Sequence, residues 1–138
     1  MEEELEHVKS YLEIEKARFE DRLVVKMDID PALLNLRMPA FTLQPLIENA
    51  IKHGISQLLS QGVATIRAYR QDGEAVIEIE DNAGAYDENK HSKDGLGIQL
   101  VDKRIKSLFG ADFGTSVACV RDEMTRVTVR MPMEVTVP

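Results

Sequence analysis

Residues 63–82, "VATIRAYRQDGEAVIEIEDN", constrain the fold more than any other stretch of this 138-residue chain. Apolar and polar residues alternate through "VATIRAYR", Asp72-Gly73 supplies the dipeptide of a tight hairpin, and "EAVIEIEDN" returns with an apolar face of its own. A period of two sends successive side chains to opposite faces of a sheet. The stretch therefore predicts two antiparallel neighbours with one face that other elements must cover.

The remaining elements follow from their own periods. From Glu2 to about Glu20, Leu5, Val8, Leu12 and Phe19 recur at helical steps among Glu, Lys and Arg. "RLVVKMDID" alternates as a strand and stops at Pro31, and "NLRMPAF" is extended because the residue before Pro39 is biased away from helix. A helix opens near Thr42, its expected cap, and carries "LQPLIENAIKHG". Residues 83–95, "AGAYDENKHSKDG", form a polar, glycine-punctuated loop. "LGIQLVDKRIKSLFG" then gives a helix with Ile98, Val101, Ile105 and Leu108 on its apolar side and a stop at Gly110. Two further strands flank a turn at Asp122-Glu123. Helix, strand, helix, hairpin, loop, helix, hairpin implies a single α+β unit, a two-layer sandwich with a mixed, mainly antiparallel sheet and its helices on one face.

Composition narrows the function. Hydrophobic residues make up 43% and charged residues 30%, and no apolar run approaches the roughly 18 residues of a membrane span. The start, "MEEELEHVKS", has neither the basic leader nor the apolar stretch of a secretory signal, so a cytoplasmic location is expected. Cys119 is the single cysteine, which excludes an internal disulfide, and its strand context predicts a small buried hydrophobe. A net charge of −7 argues against a general nucleic-acid binder. An anionic ligand would have to be held by local donors.

Three stretches carry candidate chemistry. On an ideal helix, Leu43, Leu46, Ile47, Ala50 and Ile51 fall within an arc of roughly 140°, the expected core face. Glu48, Asn49, Lys52 and His53 share the other side, a solvated face or a site. "IEIEDNAG" ends an apolar strand at Asp81 and opens into Gly84, a place where backbone and ligand can approach closely. "DGLGIQLV" sets Gly95 and Gly97 at a helix N-terminus, where free N–H groups favour an anion. The chain lacks the Gly-Lys-Ser/Thr of a P-loop, and no dinucleotide fingerprint follows its first strand.

Together, in this order, the three stretches resemble the boxes of the ATP-binding domain shared by histidine kinases, Hsp90, type II topoisomerases and MutL, the GHKL superfamily with its Bergerat fold. "LEHVKSYLEIEKARFEDRL" followed by "PAFTLQPLIENAIKHG" is similar to the catalytic part of LytS/YehU-type sensor histidine kinases, and the likeness runs from about Glu3 to Met131. The resemblance implies that Asn49 binds the Mg²⁺ bridging the ATP phosphates. It further implies that Glu48 positions a water or assists proton removal, and that Lys52 and His53 approach the phosphates. By the same likeness Asp81 accepts from the adenine amino group, and Gly84, Gly95, Leu96 and Gly97 belong to the glycine boxes around the nucleotide. Lys90, His91 and Lys93 are solvated loop charges or further phosphate contacts. One departure stands out: the usual Asp-x-Gly-x-Gly is here Asp81-Asn82-Ala83-Gly84-Ala85.

The resemblance also sets the expected organisation. Residues 1–22 would continue from an upstream dimerisation and phosphoacceptor segment, and residues 23–138 would form the catalytic domain. The whole would be a membrane-anchored homodimeric sensor that signals to a response regulator. His7 lacks the surroundings of the phosphoacceptor motif, so the γ-phosphoryl group of ATP is expected to pass to a histidine outside this chain. Two competing readings are a non-catalytic docking module for a response regulator and a protein-serine kinase of the anti-sigma type.

Overall fold

The structure, a computed structural model, describes residues 1–86 and 96–133. Helix α1 spans Glu2–Phe19, strand β1 Leu23–Ile29, helix α2 Leu43–Asn49, and the hairpin strands β2 and β3 Gly62–Gln71 and Glu74–Asp81. Helix α3 covers Leu96–Phe109, and β4 and β5 run Gly114–Val120 and Met124–Pro132. The five strands form one sheet in the order β1-β2-β3-β5-β4, parallel only between β1 and β2. The expected α+β sandwich with a mixed, mainly antiparallel sheet is what the chain adopts.

Alternation explains the sidedness. Leu23, Ala64, Ile66, Ala68, Ala75, Ile77, Ile79, Val127, Val129 and Met131 are buried against the helices. On the opposite face Arg126 pairs with Glu80 at 2.8 Å, Arg67 lies 3.5 Å from both Glu78 and Glu80, and Tyr69 donates to Glu78 at 2.9 Å. The hairpin turn needs left-handed backbone, which Asp72 (φ 53°) and Gly73 (φ 78°) supply.

The helical layer matches its stripes with one exception. Leu5, Val8, Leu12 and Phe19 of α1, the five apolar residues of 43–51, and Ile98, Val101 and Ile105 of α3 are buried, whereas Leu108 is exposed. By Leu108 the helix is within two residues of its end at Gly110, whose φ of 107° terminates it. Asp102 ties α3 to the sheet, because its Oδ1 accepts from Thr115 N at 2.8 Å and from Lys106 Nζ at 2.7 Å.

The cap of α2 is not the expected one. The Thr42 hydroxyl donates backwards to Pro39 O at 2.7 Å instead of accepting from the helix. Its place is taken by Glu4 of α1, whose carboxylate accepts from the backbone N–H groups of Leu43 (2.9 Å), Gln44 (3.1 Å) and Thr42 (3.3 Å). No local pattern could reveal a capping residue 39 positions upstream of the helix start.

Candidate functional site

Strand β3 ends with Asp81 on the helix-facing side, in a cross-sheet row with Ala64, Thr125 and Cys119. The alanine leaves room in this row for the helical layer to approach. Asp81 is only 6% exposed. Burial pushes its pKa above the ordinary carboxylate value, against the opposing pull of backbone N–H groups from Ala83 and Gly84, which donate to Oδ1 at 2.9 and 3.3 Å. Asn82 braces the neighbouring strand by accepting from Val63 N at 2.8 Å and donating to Gln61 O at 3.0 Å.

Opposite Asp81 the second helix changes pitch. After α2 the chain continues through a π-helical turn at Ala50–Gly54, a widening often found at functional sites. This turn brings Asn49, His53 and Gly54 to the Asp81 side of the sheet. A Cβ at Gly54 would lie 2.9 Å from Asp81 Oδ2 and 3.0 Å from Cγ, so only glycine lets helix and carboxylate meet this closely. Asn49, His53, Gly54, Asp81, Ala85, Tyr86 and Thr125 enclose a cavity of about 20 Å³.

Gly84 precedes Ala85 in the loop that lines the cavity. Its φ of 61° is left-handed, a Cβ there would run into the backbone of the β4–β5 turn, and its carbonyl accepts from Asp122 N at 3.1 Å. Although glycine is absent at 83 and 85, Gly84 holds the position where the loop touches its neighbour most tightly.

The polar ledge of the helical wheel divides in the structure. Asn49 and His53 face the Asp81 cavity, while Lys52 is exposed. Glu48 lines a separate cavity of about 560 Å³ with Glu3, Glu4, His7, Phe41 and Gln44, and accepts from Gln44 Nε2 at 3.1 Å. Tyr11 lies close to it: burial first, then the charges of Glu15 and Glu48, push the phenol up to about 12. Leu96 opens α3, and Gly97 faces Pro45 of α2, where a Cβ would sit at an ordinary 3.7 Å. Gly95, Lys90, His91 and Lys93 lie outside the described residues. Cys119 is exposed, correcting the expectation of a buried residue: β4 is an edge strand, and Cys119 Sγ contacts Tyr86 O at 3.6 Å and Thr125 Oγ1 at 3.4 Å. Gly54, Tyr86 and Thr125 were not singled out from the sequence. Thr125 in particular enters the site only through its register opposite Asp81.

The sensor histidine kinase BtsS of Escherichia coli K12 is 53% identical over 130 residues, a match covering 94% of this chain and 23% of that protein. The sensor protein LytS of Oceanobacillus iheyensis is 35% identical over 122 residues, covering 79% of this chain and 21% of its own length. These likenesses support a histidine-kinase-like GHKL domain. A scan against protein-family models finds no match. Solved structures share the fold: the catalytic domain of histidine kinase ThkA superposes with a TM-score of 0.65 at 14% identity, over 95% of this chain and 92% of that one. The Acinetobacter baumannii histidine kinase AdeS gives 0.58 at 21% identity, over 93% and 66%. The chain spans about a quarter of the length of the curated relatives it matches.

Proposed function

We propose that this chain is the ATP-binding catalytic part of a sensor histidine kinase, which transfers the γ-phosphoryl group of ATP to a histidine outside the chain. One observation carries the reading: a carboxylate held in the core, Asp81, faces Asn49 across a cavity, in a sequence 53% identical to a sensor histidine kinase. A buried acceptor kept beside a cavity suits an amino group that donates to it, and adenine presents one where guanine presents a carbonyl oxygen.

The cavity has space for little more than one water. The site must therefore widen to admit a purine. Asn49 offers an amide oxygen, a fitting ligand for Mg²⁺, which favours oxygen donors and keeps several waters. Among the described residues no group of three or more His, Cys, Asp or Glu side chains is arranged for a metal, so phosphates and water would complete the shell. When bound, the ion would neutralise charge on the transferring phosphoryl group. Lys52 and His53, four and five residues beyond Glu48, would follow the phosphates outward, and Glu48 would assist the proton of the acceptor. Gly84, Gly95, Leu96 and Gly97 would frame the nucleotide.

Residues 1–22 would link to a dimerisation and phosphoacceptor segment, and residues 23–138 would be the catalytic domain of a homodimeric, membrane-anchored sensor working on the cytoplasmic side with a response regulator. Among the described residues no helix is long and apolar enough to cross a membrane. Calorimetric titration with a non-hydrolysable ATP analogue, with and without Mg²⁺, tests the reading. Saturable binding weakened by Asp81→Asn upholds it. No binding by the folded chain at millimolar ligand would favour a docking module for a response regulator, and phosphoserine on a partner protein would favour a protein-serine kinase.

A further inference from the structure

Helix α2 holds one wall of the site with seven residues and the five of the π-turn that continues it, a length that is marginal on local bonding alone. Its two ends are fixed by different elements. At the C-terminal end the π-turn sets Gly54 against the Asp81 carboxylate. At the N-terminal end the free N–H groups of residues 42–44 are taken up by Glu4 of α1. A carboxylate there both satisfies donors that the helix cannot and opposes the positive end of its dipole. The approach to α2 is held in an unusual conformation as well: Phe41 has a φ of 62° although 67% exposed, and Arg104 of α3 donates to Ala40 O.

We propose that Glu4 is a positioning residue for the nucleotide site: by capping α2 from α1, it sets the placement of Asn49 and His53 against Asp81. The inference rests on the ATP reading for its consequence, though not for its geometry. Asn49 follows Gln44 by about one and a half turns, so tilting or fraying of the capped end displaces the amide directly. A shift of α1 along its axis by one residue, about 1.5 Å, is enough to break hydrogen bonds of 2.9–3.3 Å. The affinity of the site is thereby tied to the position of α1.

The experiment compares the unmodified chain with Glu4→Ala, Glu4→Gln and Leu12→Ala. Leu12 is buried on the same helix about two turns beyond Glu4, so its truncation destabilises while leaving the capping carboxylate in place. Binding of a non-hydrolysable ATP analogue with Mg²⁺ is measured by calorimetry, amide exchange across residues 46–54 without ligand, and melting temperature. Expected are an affinity loss of ~10-fold and faster exchange in Glu4→Ala, the size of coupling common between linked sites. Glu4→Gln, which keeps an acceptor oxygen, should recover part of both. Leu12→Ala should melt lower than the unmodified chain with affinity and exchange at 46–54 unchanged. Unchanged exchange and affinity in Glu4→Ala would overturn the inference, and so would equal losses in Leu12→Ala. Should the unmodified chain bind no nucleotide, the ATP reading fails, and exchange alone decides: loss of protection in Glu4→Ala but not in Leu12→Ala upholds the cap, and equal behaviour overturns it.

Discussion

Asp81 meets two opposed requirements. Its charge is held in the core at a cost, because burial raises its pKa above the value of the unfolded chain. The native state then binds the proton more tightly than the unfolded state. Its contribution to stability is accordingly greatest below the unfolded pKa and diminishes as pH rises through the raised one. In the proposed site binding would run the other way, since an adenine amino group is best accepted by a carboxylate. Asp81→Asn should therefore raise the melting temperature at neutral pH while weakening ATP binding by roughly 10- to 100-fold, the loss of a charge-assisted hydrogen bond of about 1.5–3 kcal/mol. Thermal melts and titrations on the same samples check both signs. Gly84→Ala should destabilise by about 1–2 kcal/mol from left-handed backbone alone, with overlap against the β4–β5 turn adding to it, as measured by urea denaturation. At this scale the sequence displayed Asp81 and Asn49 plainly, since each stands in a recognisable local string. Gly54 stood in the same string as Asn49 but drew no attention, because its reason, a carboxylate 2.9 Å from the missing Cβ, belongs to another element.

Among the elements, α2 and its π-turn show what periodicity conveys and what it leaves out. The apolar arc of residues 43–51 was legible and is buried throughout. The ideal wheel assumed one pitch, however, and the change at Ala50 together with α1 packed alongside divides its polar side between two cavities. Asn49→Ala should lower Mg²⁺-dependent affinity for the ATP analogue more than metal-free affinity, and titrations with and without the metal would reveal an equal loss if Asn49 has no metal role. The attachment of α3 gives another test at this scale. Although burial disfavours its charge, hydrogen bonds from Lys106 and Thr115 hold Asp102 below the ordinary carboxylate value. That contribution is present above the unfolded pKa and disappears as pH falls through the lowered one. Asp102→Ala should cost about 1–3 kcal/mol near neutral pH and less in acid, measured by denaturant titration at several pH values. Strand order was beyond the sequence for a different reason. β1 joins β2 in parallel with α2 between them, and nothing within either strand names its partner.

For the whole molecule, the expected behaviour is binding without self-modification. Incubated with Mg²⁺ and γ-labelled ATP, the chain should acquire no phosphohistidine, and His7→Gln should change nothing in that assay. Label on His7 would refute the placement of the acceptor elsewhere. The ionic rows across the uncovered face of the sheet carry a last consequence. Glu74, Glu78 and Glu80 are matched there by Arg130, Arg67 and Arg126, so despite a net charge of −7 that side is largely self-neutralised and hydrated. Of the large exposed apolar side chains, Ile14, Phe41, Leu100 and Leu108 lie with the helices, Leu59 lies in the loop before β2, and Val120 ends β4 on the ionic face. A protein colliding from the sheet side finds little directing field and, Val120 at the edge apart, no dry foothold, and must give up hydration and satisfied ion pairs to stay. The sandwich is thus adhesive on one side and slippery on the other, which orients an encounter before any specific contact has formed.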